Sequence, residues 1–304
     1  MTDASKGIAA MVLACVVWGL SPLYYDQLVH VPALEVVSYR TVWSLIFFAA
    51  VLALQGRLRV LIAAVSDWPS LRRIALAAVM IGTNWSVFIW SIGHGHATEA
   101  SLGYYIFPLV AVLLGRVILG EALLAAQWLA VAIACAAVLV LTVGLGAAPW
   151  IALSIAATFG LYGLIKKRLD MGPVVSVTAE MLILLPIAVI WIAVNGAPVM
   201  GGWSVTTHLL LALSGPLTAT PLILFSYAAR RVRLSTVGLL QYLNPTLQFG
   251  CAVLYFAEPF TPWHGVAFPL IWLALAVYSA ASLRQERALR RAASKSSNPA
   301  ATVI

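Results

Sequence analysis

Trp18-Gly19-Leu20-Ser21-Pro22-Leu23 reads again 141 residues on as Phe159-Gly160-Leu161-Tyr162-Gly163-Leu164. The same offset pairs Leu28 with Leu169 and Pro32 with Pro173. Further along, Pro108 and Glu121 are 13 residues apart, as are Pro245 and Glu258, at an offset of 137. Single identities between apolar segments arise by chance; a nearly constant offset across half a chain does not. The flanks differ in charge. Tyr24-Tyr25-Asp26-Gln27 follows the first copy and Ile165-Lys166-Lys167-Arg168 the second. An acidic end in one unit facing a basic end in the other is what two similar units give when they cross a membrane in opposite directions.

The composition requires that membrane. Of 304 residues, 62% are hydrophobic and 9% are Asp, Glu, Lys or Arg, against roughly 25% charged in an ordinary soluble domain. So few charges cannot cover a soluble globule of this size. The apolar runs are too long, and lack the alternation, for membrane β-strands. A helical crossing takes about 20 apolar residues. Ten such runs are predicted, at 8–28, 33–54, 72–92, 99–119, 122–143, 149–165, 174–195, 205–228, 234–256 and 263–283. The sixth is short, and nine is the rival count. The expected fold is therefore all-α: ten transmembrane helices as two inverted five-helix repeats, 7–145 and 147–283, followed by a basic cytoplasmic tail, 284–304.

Charge sets the direction. With the N-terminus in the cytoplasm, the inside segments hold Lys6, Arg57, Arg59, Arg72, Arg73, Arg116, Lys166, Lys167, Arg168, Arg230, Arg231, Arg233, Arg284, Arg287, Arg290, Arg291 and Lys295. The outside loops hold no Lys or Arg, and the one left over, Arg40, lies inside the second span. Both termini are thus expected in the cytoplasm. The net charge of +8 reports orientation, not nucleic acid, and the basic tail is expected to touch anionic headgroups. The N-terminus reads as a direct entry into the first span without a cleavable signal. Cys15, Cys135 and Cys251 lie in apolar stretches and read as small core residues.

Several segments resemble one family. Ten spans as five plus five, with Gly120-Glu121 opening the fifth, look like the EamA branch of the drug/metabolite transporter superfamily. Arg40-Thr41-Val42-Trp43-Ser44, Glu99 through Tyr105, Leu234 through Tyr242, Pro245 through Phe249 and Ile271 through Ala276, with the two repeated segments, resemble its RarD-type (chloramphenicol-sensitivity) members. The resemblance implies a bacterial inner-membrane exporter of small metabolites or drugs. It also implies a central cavity lined by spans 1–4 and 6–9, with spans 5 and 10 peripheral. Two positions depart from the family pattern: Phe107 precedes Pro108 where Asn is expected, and Asn244 precedes Pro245 where a small residue is common.

Intramembrane charge singles out the candidate site. Arg40 lies ~12 Å down the second span from Pro32, and Glu180 ~10 Å into the seventh from Pro173, at 1.5 Å per residue. An ionisable residue at that depth is costly and marks function by default. Arg40 is read as binding an anionic group or controlling the acid, and Glu180 as taking up and releasing a proton. The alternatives are a static Arg–Glu pair that fixes helix packing and a mere snorkelling position. Pro108 and Pro245 break helix hydrogen bonding and are hinge candidates. Asn84, Thr220, Gln241, Asn244 and Gln248 are intramembrane polar groups suited to substrate or to interhelical hydrogen bonds. Trp18, Trp43, Trp85, Tyr104, Tyr105, Tyr162 and Tyr242 form a prospective aromatic wall, whereas Trp68, Trp150 and Trp203 near span ends read as interfacial anchors.

His94-Gly95-His96 with Glu99 has faint metal-site and acyltransferase spacing and reads instead as an outside loop. No P-loop, HExxH, GxSxG or dinucleotide fingerprint occurs. No cofactor or metal is called for, and the partners are a small-molecule substrate and the bilayer. The sequence sets no oligomeric state. A secondary transporter, with proton coupling as one mode, leads over a membrane-embedded enzyme and a passive channel. An enzyme needs a catalytic cluster where only Arg40 and Glu180 sit deep, and a pore needs no inverted halves.

Overall fold

The structure is a computed structural model that describes residues 3–120, 123–145, 149–166, 168–195, 203–229, 231–232 and 240–296. Among the described residues the main α-helices are, in order, α1 (Asp3–Gly19), α2 (Ser21–Asp26), α3 (Ala33–Leu54), α4 (Leu58–Ser66), α5 (Trp68–Gly93), α6 (Ala97–Leu119), α7 (Ala125–Leu145), α8 (Trp150–Lys166), α9 (Pro173–Asn195), α10 (Val205–Ala229), α11 (Leu243–Gly250) and α12 (Pro262–Ser296). Among the described residues there is no strand. Among the described residues eight helices are long and apolar enough to cross a bilayer, and Trp150–Lys166 is a shorter apolar helix. The eight coincide with predicted spans 1–5, 7, 8 and 10, and the shorter helix with the sixth. The start of the predicted ninth span lies outside the described residues, as do Glu121, Lys167, Arg230 and Arg233. Its described part, 240–256, is mainly α11, continued by a single π-helical turn, Cys251–Tyr255.

Two local features were not foreseen. The segment after the second span folds as α4. Leu61 of α4 is buried with Leu52, Ile74, Leu169 and Val175, while Leu58 and Ile62 stay exposed. Next, α5 begins at Trp68, four residues earlier than expected, because Asp67 caps it: Asp67 Oδ2 accepts from the Ser70 N–H at 3.0 Å. Hydrogen bonds from the Ser70 side chain and backbone hold the Asp67 carboxyl below the ordinary carboxylate range.

The helices fall into two compact units. The first covers Met1–Leu114 and Pro149–Pro259, and in it the two predicted halves interleave. Helix α3 packs on α9 and α10, α5 on α8 and α9, and α1 on α10 and α11. Lipid is as apolar as leucine, so such contacts depend on close backbone approach through small residues. Three glycines allow it. A Cβ on Gly19 would lie 2.6 Å from Leu247 Cβ, one on Gly103 2.8 Å from the Ala152 carbonyl, and one on Gly160 3.1 Å from Leu114 Cδ1 and 3.6 Å from Val110 Cγ1. Polar fasteners add to this. Glu258 accepts from the Ala97 and Thr98 N–H groups through its two oxygens at 2.6 and 2.7 Å, placing an anion on the positive end of α6. Ala257, which turns the chain into Glu258, has φ +50°.

The second unit, Gly115–Ala148 and Phe260–Ile304, consists mainly of α7 packed on α12. A Cβ on Gly144 would lie 2.2 Å from the Trp263 ring, so that contact also requires glycine. Helix α12 continues past the predicted end of the tenth span to Ser296, and the basic tail begins as helix.

Candidate functional site

Arg40 sits one third of the way along α3 and is 7% exposed. Its Nε donates to Thr218 Oγ1 on α10 at 2.9 Å and its Nη1 to Tyr25 Oη on α2 at 2.6 Å. The guanidinium lies 3.8 Å over the Trp85 ring of α5, a favourable cation–π arrangement. Thr218 is itself fixed by donating to the Ser214 carbonyl at 2.8 Å. Three helices from two halves of the sequence thus orient one cation, with neutral groups only.

Glu180 has a different environment. It is fully buried on α9. Lys166 Nζ, at the end of α8, lies 2.6 Å from Oε1, Ser176 Oγ donates to Oε1 at 2.9 Å, and Tyr162 Oη donates to Oε2 at 3.0 Å. Lys166 also donates to Ser176. The carboxylate is therefore paired and hydrogen-bonded on both oxygens. Among the described residues the ion pairs within 4 Å are Lys166–Glu180 and His96–Glu99, so the alternative of an Arg40–Glu180 pair is not what forms. Each charge has its own partners. The polarity is mirrored: Tyr25 holds Arg40, and the residue 141 positions after Tyr25 is Lys166, which holds Glu180.

A file of aromatic rings joins the two sites. Tyr25 meets Phe88 at 6.0 Å between ring centroids, Phe88 meets Tyr104 at 5.7 Å, Tyr104 meets Phe159 at 5.7 Å, and Phe159 meets Tyr162 at 6.0 Å. Phe107, which precedes Pro108, packs on Phe159 at 4.8 Å. The file starts on the residue that holds Arg40 and ends on one that holds Glu180.

The other predicted residues are distributed around this axis. Asn84 donates to the Ile155 carbonyl at 3.0 Å and Thr158 Oγ1 at 3.1 Å, and accepts from Tyr104 Oη at 2.8 Å. Its amide is engaged on both sides and clamps α5 to α8 and α6. Tyr105 Oη donates to Thr246 Oγ1 at 2.8 Å, joining α6 to α11. Trp18 packs on Phe225 at 6.2 Å, and its carbonyl accepts from Gln248 Nε2 at 3.4 Å. Asn244 Oδ1 and Gln248 Oε1, one turn apart on α11, are buried and accept no hydrogen bond from a described residue. Gln241 is half-buried just before α11, and Tyr242 forms the turn into it. Pro108 lies inside α6, whereas Pro245 lies in the first turn of α11, where a proline costs little hydrogen bonding.

Trp43 is exposed at 37%, and its backbone backs onto Gly215; Thr220 is exposed too. Neither side chain joins the Arg40 group. His94 and His96 stack on Trp90 at 4.2 and 5.8 Å, and Gly95 turns the chain at φ +71°. Sequence reasoning passed over Lys166, counted only as a loop charge, and Tyr25, Ser176, Thr218 and the buried Glu35. The 141-residue offset, applied to Tyr25, was the signal that leads to Lys166.

Comparison with known proteins adds the following. Residues 5–143 match the EamA-like transporter family. The chain is 45% identical to "Protein RarD" of Streptomyces exfoliatus over 90% of this chain and 88% of that protein. It is 40% identical to an uncharacterized transporter of Vibrio cholerae over 95% of this chain and 97% of that protein. A solved structure described as "Crystal structure of protein" superposes with a TM-score of 0.61 at 16% identity, covering 93% of this chain and 99% of that one; this likeness concerns the fold.

Proposed function

The chain belongs to the EamA-like transporter family, among its RarD-type members, and from that premise we propose that it exports a small metabolite or drug-like solute across the bacterial inner membrane by alternating access. It is a membrane transporter and not an enzyme. In this reading ten helices form two inverted halves, 7–145 and 147–283, both termini face the cytoplasm, and the solute occupies the axis between Arg40 and Glu180.

One observation supports an internal repeat, and the charge pattern supports its inversion. Gly19 meets Leu247 at the α1–α11 contact, and Gly160 meets Val110 at the α8–α6 contact. The offsets read from sequence take one contact onto the other: 141 residues from Gly19 to Gly160, 137 from Val110 to Leu247. Backbone conformation agrees. Gly120 and Ala257, also 137 apart, both have positive φ, +69° and +50°, and each precedes a glutamate. Helix pairs come as mates too: α1 with α10 answers α8 with α5, and α3 with α10 answers α9 with α5. Two similar halves packed this way can exchange conformations, which is the physical basis of alternating access.

Coupling is assigned to Glu180. Lys166 is partly exposed and hydrogen-bonds the buried carboxylate, so a proton reaching Glu180 releases Lys166, and proton loss restores the pair. The test is substrate-driven proton flux in proteoliposomes, with substrates found by comparing metabolites in medium and cytosol under overexpression. Flux is expected in wild type and absent in Glu180→Gln; unchanged coupling in that variant rejects the assignment.

A further inference from the structure

Arg40 is a cation that no described residue neutralises. Among the described residues no carboxylate comes within 4 Å of it. Glu35, the buried acid on the same helix, is five residues away and is not paired with it. Tyr25 and Thr218 supply neutral oxygens and Trp85 a ring face. Nη2 donates to no described residue, and the Tyr25 hydroxyl proton goes to no described acceptor. In low dielectric, an ion without a counter-ion costs several kcal/mol. Glu180, also buried, has Lys166. The asymmetry between the two mirrored sites locates the missing negative charge beside Arg40.

We infer that Arg40 is the anion-binding residue for the transported solute, and that this solute is a flat aromatic acid carrying a single carboxylate. The inference rests on the transport reading above and names its substrate class. One charge is needed because one charge is uncompensated; a dianion would leave a surplus negative charge in the same low dielectric. A carboxylate fits because a guanidinium edge meets it through two parallel N–H bonds. Nε and Nη1 are already engaged, and their partners fix the plane in which Nη2 and Nη1 present their remaining protons. An aromatic body fits because Trp85 flanks the guanidinium and the file from Tyr25 through Phe88 and Tyr104 leads away from it. Ring–ring contacts give such a body offset and edge-on partners.

The test uses the full-length protein in nanodiscs of zwitterionic lipid, with 2-naphthoate and cinnamate as probes and 2-naphthamide and cinnamamide as their uncharged isosteres. Binding is read from the shift in thermal unfolding midpoint and from tryptophan fluorescence. In wild type the carboxylates bind at least about tenfold tighter than the amides, as the loss of a charge-assisted pair dictates. Arg40→Gln removes the discrimination, so that acid and amide bind alike. Arg40→Lys keeps the charge, loses the fork and binds the acids with intermediate affinity. The proposal is overturned if wild type binds the acids no better than the amides, or if Arg40→Gln still discriminates. The wild-type comparison needs no variant, so a misfolded Arg40→Gln leaves a decisive result. Arg40-dependent binding of the acids, with no flux of any solute in proteoliposomes, retains the anion site and removes the transport reading instead.

Discussion

At the scale of single residues, the two buried charges could be singled out because a charge inside an apolar run is rare, but their partners could not. The sequence offered Arg40 and Glu180 to one another as symmetry mates. Space gave Arg40 to Tyr25 and Thr218, and Glu180 to Lys166. Pairing depends on side-chain reach across helices, which the linear offset does not encode. The Lys166–Glu180 pair invites a double-mutant cycle. Glu180→Gln strands the Lys166 ammonium, and breaking a buried pair from one side costs about 3–5 kcal/mol. Because Lys166 is 21% exposed, water recovers part of that. Glu180→Gln is expected to lower the unfolding midpoint, and adding Lys166→Met to restore most of it while proton-coupled flux stays absent. A double variant no more stable than the single one rejects the pair as an energetic unit. Asn84 belongs to the same scale. Its amide bridges three helices, and Asn84→Ala is expected to cost about 0.6–2 kcal/mol, the range of interhelical hydrogen bonds in membranes, read as a lower midpoint.

At the scale of elements, eight helices could be read because about 20 apolar residues leave one solution in a bilayer, a self-bonded helix. Helix α4 and the π-helical turn at Cys251–Tyr255 could not. An amphipathic helix of nine residues carries too short a signal, and a π-turn depends on how a helix is packed. The glycines marked close approach only once the packing partner was known. They yield a graded prediction. Gly19 tolerates no Cβ, with Leu247 Cβ 2.6 Å away, whereas at Gly160 the nearest atom is the tip of Leu114 at 3.1 Å. Gly19→Ala is therefore expected to destabilise by about 1–3 kcal/mol, the cost of overpacking, and Gly160→Ala by less, both measured as loss of midpoint in detergent. Equal effects contradict the contact geometry. The left-handed pair supplies the converse. Ala257→Gly relieves a backbone conformation that costs an L-residue about 1–2 kcal/mol, partly offset by glycine's extra unfolded-state entropy. A small rise in midpoint is expected there, and a fall for Gly120→Ala.

At the scale of the whole molecule, inversion is a statement about direction, and direction is carried by charge more than by packing. Lys6, the arginines at 57, 59, 72 and 73, the cluster at 166–168 and the tail after 283 alternate with intervening loops that contain no Lys or Arg, which the proposed orientation places outside. Shifting the count by one span would put about half of these cations on the wrong face, against the bias that orients inner-membrane helices. Contact geometry relates Gly19–Leu247 to Gly160–Val110, yet a pair of parallel repeats related by an axis along the membrane normal would also have mated contacts. What separates the two arrangements is the parity of the first half: five crossings put the junction at 146–148 outside, and four or six put it inside. Alkaline phosphatase fused after residue 147 is therefore expected to be active, and fused after residue 304 inactive, while a green fluorescent protein at residue 304 fluoresces. An inactive phosphatase at 147 makes the halves parallel. Arg40 and Glu180 would then approach from the same face, and a carrier that exposes them in turn to opposite sides would lose its structural basis.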